Sequence, residues 1–279
     1  MLSLLISILA SLALVSGLSA LGVQKGTTIF FGVVGLLASY YLIGWVVRKK
    51  IAKVQGELQS IMMAGQQKMQ RKIQQFQMKP GGNIKLMQRQ IETDQKVIYK
   101  QGLDFLPRLE SFKKWSMLMG RQILTMRMQF LYQLKEFKQV DVIFDGSGFL
   151  KGPMLMEPMA VAMKMARQYK NKDIAAAEKT FKRRIRWFRG DNGNLLYGLM
   201  TWILVKEGEI DKARELLTKA KDATGNEAFS HNWEQLSNDR VKNFSNAGLG
   251  EEWYGLYLEN PPQPKAQRAR GNARNQRGF

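Results

Sequence analysis

From Leu2 to Leu21, and again from Ile29 to Val47, the chain carries no charged side chain. Between the two runs lies only the short break Gly22-Val23-Gln24-Lys25-Gly26-Thr27-Thr28. A helix rises 1.5 Å per residue, so each run is long enough to cross a hydrocarbon core of about 30 Å. At that depth a helix satisfies every backbone polar group internally, and the pair predicts a transmembrane hairpin. Within the runs, Ser3, Ser7 and Ser11 recur every fourth residue, and Gly32, Gly35 and Ser39 offer the second helix a matching face of small residues. Such faces let two membrane helices approach closely, so the hairpin is expected to pack on itself. A secretory signal is the competing reading of the first run. It lacks a basic leader, and cleavage after Ala20 would place the large Leu18 where a small residue is preferred. Lys25 is the single charge in the break, whereas Arg48, Lys49, Lys50 and Lys53 follow the second run. The positive-inside bias then places residues 48–279 and the N-terminus in the cytoplasm, as an integral membrane protein with two spans.

Beyond Val47 the pattern becomes amphipathic. Ile51, Val54, Leu58 and Ile61 keep a spacing of three to four, and Met62, Met69, Ile73 and Phe76 resume it after a slip. The other face is rich in Gln and basic (Lys53, Lys68, Arg71, Lys72, Lys79), with Glu57 as its acid, and Pro80-Gly81-Gly82 ends the helix. A further helix is expected over 83–105, with Ile84, Met87, Ile91 and Ile98 along one side and Val97 beside them, before Pro107. This segment, 48–107, reads as a helical stalk with three roles open to it. Its cations could lie against anionic lipid. Its Met and Ile stripe could join two copies or grip an apolar partner. The stripe could also be core of its own domain.

The region 108–260 shows an internal period. Asn194 to Glu227 pairs an apolar helix containing Tyr and Trp with the turn Lys206-Glu207-Gly208-Glu209 and a second helix bearing Ala213, Leu217 and Ala220. This segment resembles the tetratricopeptide repeat, a helix–turn–helix family, with Gly208 at the turn and the two alanines at the positions where helices approach closely. The same register falls on Ala177 and Phe181 and on Val140 and Phe144 upstream, and on Leu249 and Trp253 downstream. The period of 36 to 37 residues exceeds the 34 of the family. To the membrane hairpin (1–47), the stalk (48–107) and a basic tail whose lack of apolar residues predicts disorder (261–279), the resemblance adds a solenoid of helix pairs (108–260), so an all-α fold is expected. It also implies a protein or peptide partner held in a groove, for which Tyr197, Thr201, Leu204 and Lys206 are the candidates.

Composition narrows the chemistry. There is no cysteine, and His231 is the lone histidine, so thiolate sites and histidine pairs are excluded. Gly146, Gly148 and Gly152 match no phosphate-binding fingerprint, and no carboxylates converge at a spacing that suggests acid–base work. We therefore expect no enzyme activity, cofactor or metal. The sequon Asn243-Phe244-Ser245 lies on the expected cytoplasmic side. The net charge of +20 implies an anionic partner, whether lipid or nucleic acid. Two elements concentrate it. Lys182, Arg183, Arg184, Arg186 and Arg189 crowd one helix with Phe181, Trp187 and Phe188 between them, and Arg268, Arg270, Arg274 and Arg277 lie in the acid-free tail. The sequence thus predicts a membrane-anchored interaction scaffold. The alternative is a membrane-tethered binder of nucleic acid, ribosomes or anionic lipid, with oligomerisation through spans or stalk also open.

Overall fold

A single helix runs from Lys25 to Gln77, 53 residues and about 80 Å, so the second apolar run and the expected stalk are one unbroken rod. The computed structural model describes residues 2–77, 84–116, 118–146 and 152–261; the glycine-proline break at 80–82, the linker 147–151 and the basic tail lie outside these. Among the described residues there is no strand. In chain order the helices are α1 (Leu2–Ala20), α2 (Lys25–Gln77), α3 (Ile84–Phe105), α4 (Pro107–Glu110), α5 (Met119–Gln133), α6 (Phe137–Asp145), α7 (Pro158–Lys170), α8 (Ile174–Arg184), α9 (Asn194–Lys206), α10 (Ile210–Thr224), α11 (Glu227–Ser237) and α12 (Glu251–Tyr254). They form two compact units, Met1–Arg167 and Gln168–Phe279.

In the first unit α1 folds back along α2. The seam consists of small and hydroxylated residues: Ser3, Ser7, Ser11 and Thr28 are buried, as is Gly32. Ser11 Oγ donates to the Gly32 carbonyl at 2.7 Å, and Ser7 Oγ to the Ser3 carbonyl at 2.8 Å, so these hydroxyls need no water. A Cβ on Gly32 would stand 2.5 Å from Val15 Cγ2, so the approach of the helices requires glycine there. The large residues face outward. Leu5, Leu9, Ile29 and Leu37 are each 58–65% exposed. This inverts the usual order of a water-soluble hairpin, in which large apolar residues are inside.

Beyond the hairpin the same rod becomes a core element. Leu58 is buried with Phe105, Leu106, Leu109, Met119 and Ile123, and Ile51, Val54, Ile61 and Met62 pack against that cluster. Of the roles open to the amphipathic stripe, the structure realises internal core over this stretch, because α3, α4 and α5 cover it. Gly65 lets α3 come close, since a Cβ there would lie 2.6 Å from Ile98 Cγ1. Near the far end Lys72 Nζ donates to both carboxylate oxygens of Asp94, at 2.9 and 2.7 Å. Val97, expected beside the α3 stripe, is instead half exposed. Farther along, Arg167 meets Asp141 through two hydrogen bonds of 2.8 and 2.7 Å and covers the Phe137 ring.

In the second unit α9, α10 and α11 pack in chain order. Ala213, Leu217, Ala220, Phe229 and Leu236 form a core cluster. α9 is apolar nearly all round, and Leu196, Leu199, Met200 and Ile203 are buried in it, as a central helix requires. The closing segment is fixed by polar side chains. Buried Asn232 exchanges two hydrogen bonds with the Ser245 backbone, donating at 2.9 Å and accepting at 3.1 Å. Asn246 donates to the Gly198 carbonyl at 2.8 Å.

One turn recurs. Lys135, Lys172, Gly208 and Asp239 all have positive φ, between 54° and 78°, and each follows a helix. In each case the next residue donates its backbone N–H to a carbonyl five residues back: Glu136 to Leu131, Asp173 to Gln168, Glu209 to Leu204 and Arg240 to Gln235. The first three turns are followed by a helix whose first buried residue is Val140, Ala177 or Ala213, each fully buried. The fourth is followed by the 3-10 turn Val241–Asn243. The helix expected around Leu249 and Trp253 is correspondingly reduced to the 3-10 turn Ala247–Leu249 and the four-residue α12. Gly250, at a φ of 75°, separates these two elements.

Candidate functional site

Two surfaces stand out, one in each unit. The first lies where the apolar part of α2 gives way to charge. Trp45, Arg48, Lys49, Lys50 and Lys53 occupy just over two turns. Trp45 is exposed, and the Lys49 ammonium sits 5.3 Å from its ring centroid. The Arg48 guanidinium lies back toward Gly44, toward the apolar side. An aromatic ring with cations arching along an apolar rod is the arrangement favoured at a membrane–water boundary. The 3-10 turn Ser111–Lys114 and Trp115 lie at the same level: the Ser3 hydroxyl donates to the Trp115 carbonyl at 3.3 Å. Between Trp115, Phe112 and α2 a cleft of about 350 Å³ opens. Glu110, one turn earlier, is held below its ordinary pKa by the Lys113 ammonium at 3.0 Å, with Arg127 adding to the effect.

The second surface is the basic end of α8. Its sequence placed three aromatics among the cations, and the structure separates them. Phe181 and Phe188 are buried, while Trp187 is 70% exposed with the Arg186 guanidinium 5.6 Å from its ring centroid. Arg183, Arg186 and Arg189 are exposed, and Arg184 is half-buried. Lys182 pairs with Glu178 at 2.6 Å on the exposed face. The helix ends after Arg184, and the 3-10 turn Ile185–Trp187 turns the indole outward. Arg268, Arg270, Arg274 and Arg277 lie outside the described residues.

The groove residues expected on α9 take different positions. Thr201 is fully buried, its hydroxyl donating to the Tyr197 carbonyl at 2.8 Å. Tyr197 stands edge-on to Phe181 and Phe229, and burial pushes its hydroxyl pKa up. Leu204 packs on the same core cluster. Lys206 is exposed, 5.3 Å from the centroid of Trp202. Of the four, Thr201 is buried, Tyr197 and Leu204 are partly buried, and Lys206 is exposed. α8, α10 and the segment after Asn246 all pack on α9 and cover part of its Tyr face. What the sequence did not single out is a shallow cavity of about 650 Å³ beside α11, lined by Asn226, His231 and Ser245 among others. It gathers no metal-binding set, and among the described residues no group of three such ligands occurs anywhere.

No protein-family model, curated protein or solved structure matches this chain.

Proposed function

We propose that this protein is a membrane-anchored interaction scaffold: α1 and the first half of α2 span a bilayer, and the helical units that follow are held at the cytoplasmic face to receive a protein partner. The observation that carries the reading is the inverted hairpin, with serine and glycine at the seam and large apolar side chains outward, bounded by a collar of Trp and cations. Two helices long and apolar enough to cross a membrane are present, and only 6% of each apolar window is buried. A core helix of a soluble protein would be mostly covered. Tetratricopeptide-like repetition is the second element of the proposal, supported by three left-handed turns 37 and 36 residues apart and the small or branched buried residue after each. In that family the helix pairs bind proteins, and the surface of α10 and α11 is the part free to do so here.

The exposed Trp187 among arginines favours a second role, binding an anionic partner through the end of α8. The absence of cysteine makes the topology test clean. Single cysteines at Gln24 and at Gln55 should be labelled by an impermeant maleimide from opposite sides of sealed vesicles. Labelling of both from one side would exclude the hairpin. Proximity labelling in intact cells, comparing the chain with a variant neutralising Arg183, Arg186 and Arg189, separates the two roles. Membrane-protein neighbours unchanged in the variant support the scaffold, whereas ribosomal or nucleic-acid-associated neighbours lost in the variant make the charge the function.

A further inference from the structure

The cleft beside α2 has a polarity that selects its occupant. Leu42, Ile43, Val46 and Val47 form one wall, and Phe112 and Trp115 the other. Lys50 closes one end, eight residues and about 12 Å along the rod from Leu42. The cleft is therefore apolar along its length and cationic at a single end, the end nearer the collar. We propose that it binds one anionic glycerophospholipid, with an acyl chain between α2 and the two aromatic rings and the phosphate on the Lys50 ammonium. This inference rests on the membrane insertion proposed above and adds a specific lipid site to it.

Three observations exclude other occupants. Lys50, Lys53 and Lys114 have no ion pair among the described residues, and the nearby carboxylate of Glu110 is already taken by Lys113 and Arg127. The site thus has uncompensated positive charge, which an anionic headgroup neutralises. A second copy of this chain would bring the same cationic collar to the contact and be repelled. An acidic peptide would have to lay its backbone along a 12 Å apolar wall, leaving its N–H and C=O groups without partners, a cost an acyl chain does not carry. The volume of about 350 Å³ suits part of one chain, so the lipid would be held by its upper methylenes and its phosphate, with its remaining length in the bilayer.

The test uses the full-length chain, delipidated in detergent and titrated with phosphatidylglycerol or phosphatidylcholine, with bound lipid counted by native mass spectrometry. Retention of one phosphatidylglycerol is expected, about tenfold tighter than phosphatidylcholine. Lys50→Gln should remove about that tenfold preference, the effect of one charged hydrogen bond. Val46→Trp, which fills the cleft, should abolish the bound lipid. Val33→Trp, at an exposed position of the same span, should leave it in place. Equal retention of both lipids, or a preference unchanged in Lys50→Gln, would overturn the site. Flotation of the same preparations with vesicles after alkaline extraction distinguishes the two levels. A chain that does not float overturns the membrane reading and this site together, whereas one that floats without selective retention overturns this site alone.

Discussion

Glu259 is the sharpest place to test the energetics of the second unit. Its two carboxylate oxygens accept one hydrogen bond each from two indoles, Trp202 Nε1 at 2.7 Å and Trp253 Nε1 at 2.9 Å. Both indoles are buried, Trp253 completely, and their rings lie edge to face at 5.8 Å. An indole N–H has no alternative use, since it donates only. Glu259→Gln keeps one acceptor oxygen and replaces the other with a donor, so one indole loses its partner. Glu259→Ala strips both. A hydrogen bond to a charged group contributes about 1.5–3 kcal/mol, so the glutamine variant should lose about that amount and the alanine variant about 3–6 kcal/mol. The ratio is the stronger test, because it follows from geometry and not from the magnitude of a single bond. Denaturant titration of the full chain in micelles, followed by tryptophan emission, provides the readout, and emission should shift to the red as Trp253 is wetted. If the two variants lose equal stability, or alanine loses less than 1 kcal/mol, the carboxylate is not a shared acceptor and the account of how residues 255–261 are fastened to α9 is wrong.

Other expectations follow from the same kind of accounting. The Lys72 ammonium, bonded to both oxygens of Asp94, holds that carboxyl below its ordinary value, with Gln90 helping. Because the folded-state value is depressed, the contribution is complete above the ordinary carboxylate value and is lost as pH falls through the lowered one. A spin-label distance between the ends of α2 and α3 should therefore stay constant from pH 8 to 5 and broaden only below about 4. Truncating Arg167 to Met removes its two hydrogen bonds to the Asp141 carboxylate, both groups being largely covered, and should cost about 2–3 kcal/mol, with Asp141→Asn recovering part of it in a double-mutant cycle. Gly208→Val places a branched side chain at a φ of 78° and should destabilise by about 1–2 kcal/mol, whereas Lys172→Gly at the equivalent turn should be neutral or stabilising in the same melt. Because Leu14 touches the Gly35 face, a cysteine pair at positions 14 and 35 should form a disulfide in the otherwise unchanged chain and fail to do so once Gly32→Leu separates the hairpin.

What the sequence revealed depended on how local the signal was. The two apolar runs and the serine stripe at positions 3, 7 and 11 are each set by residues within a turn or two of one another. Helical spacing alone exposes them. The continuation of the second run into the stalk was legible as well, because Ile51, Val54 and Leu58 carry on a helical spacing past Val47, and charged residues on the other face do not break a helix. How far the residues expected to form the groove on α9 are covered was less legible. Its Tyr197 and Thr201 share a face that spacing identifies, but which neighbour covers that face depends on Phe181, Phe229 and the segment after Asn246, up to 49 residues away. The cleft beside Lys50 brings α2 together with Phe112 and Trp115 and had no linear signature.

The unbroken length of α2 has a mechanical consequence. A rod clamped at one end converts a small change of angle into a large displacement at the other. From Val47 to Gln77 is about 45 Å, so tilting the apolar part of the rod by 10° carries the tip through about 8 Å. Bilayers that differ in thickness impose different tilts on a helix of fixed length. With α2 inserted as proposed above, the thickness of the surrounding lipid would be translated into the position of Lys72 and whatever rests on it, with no hinge needed.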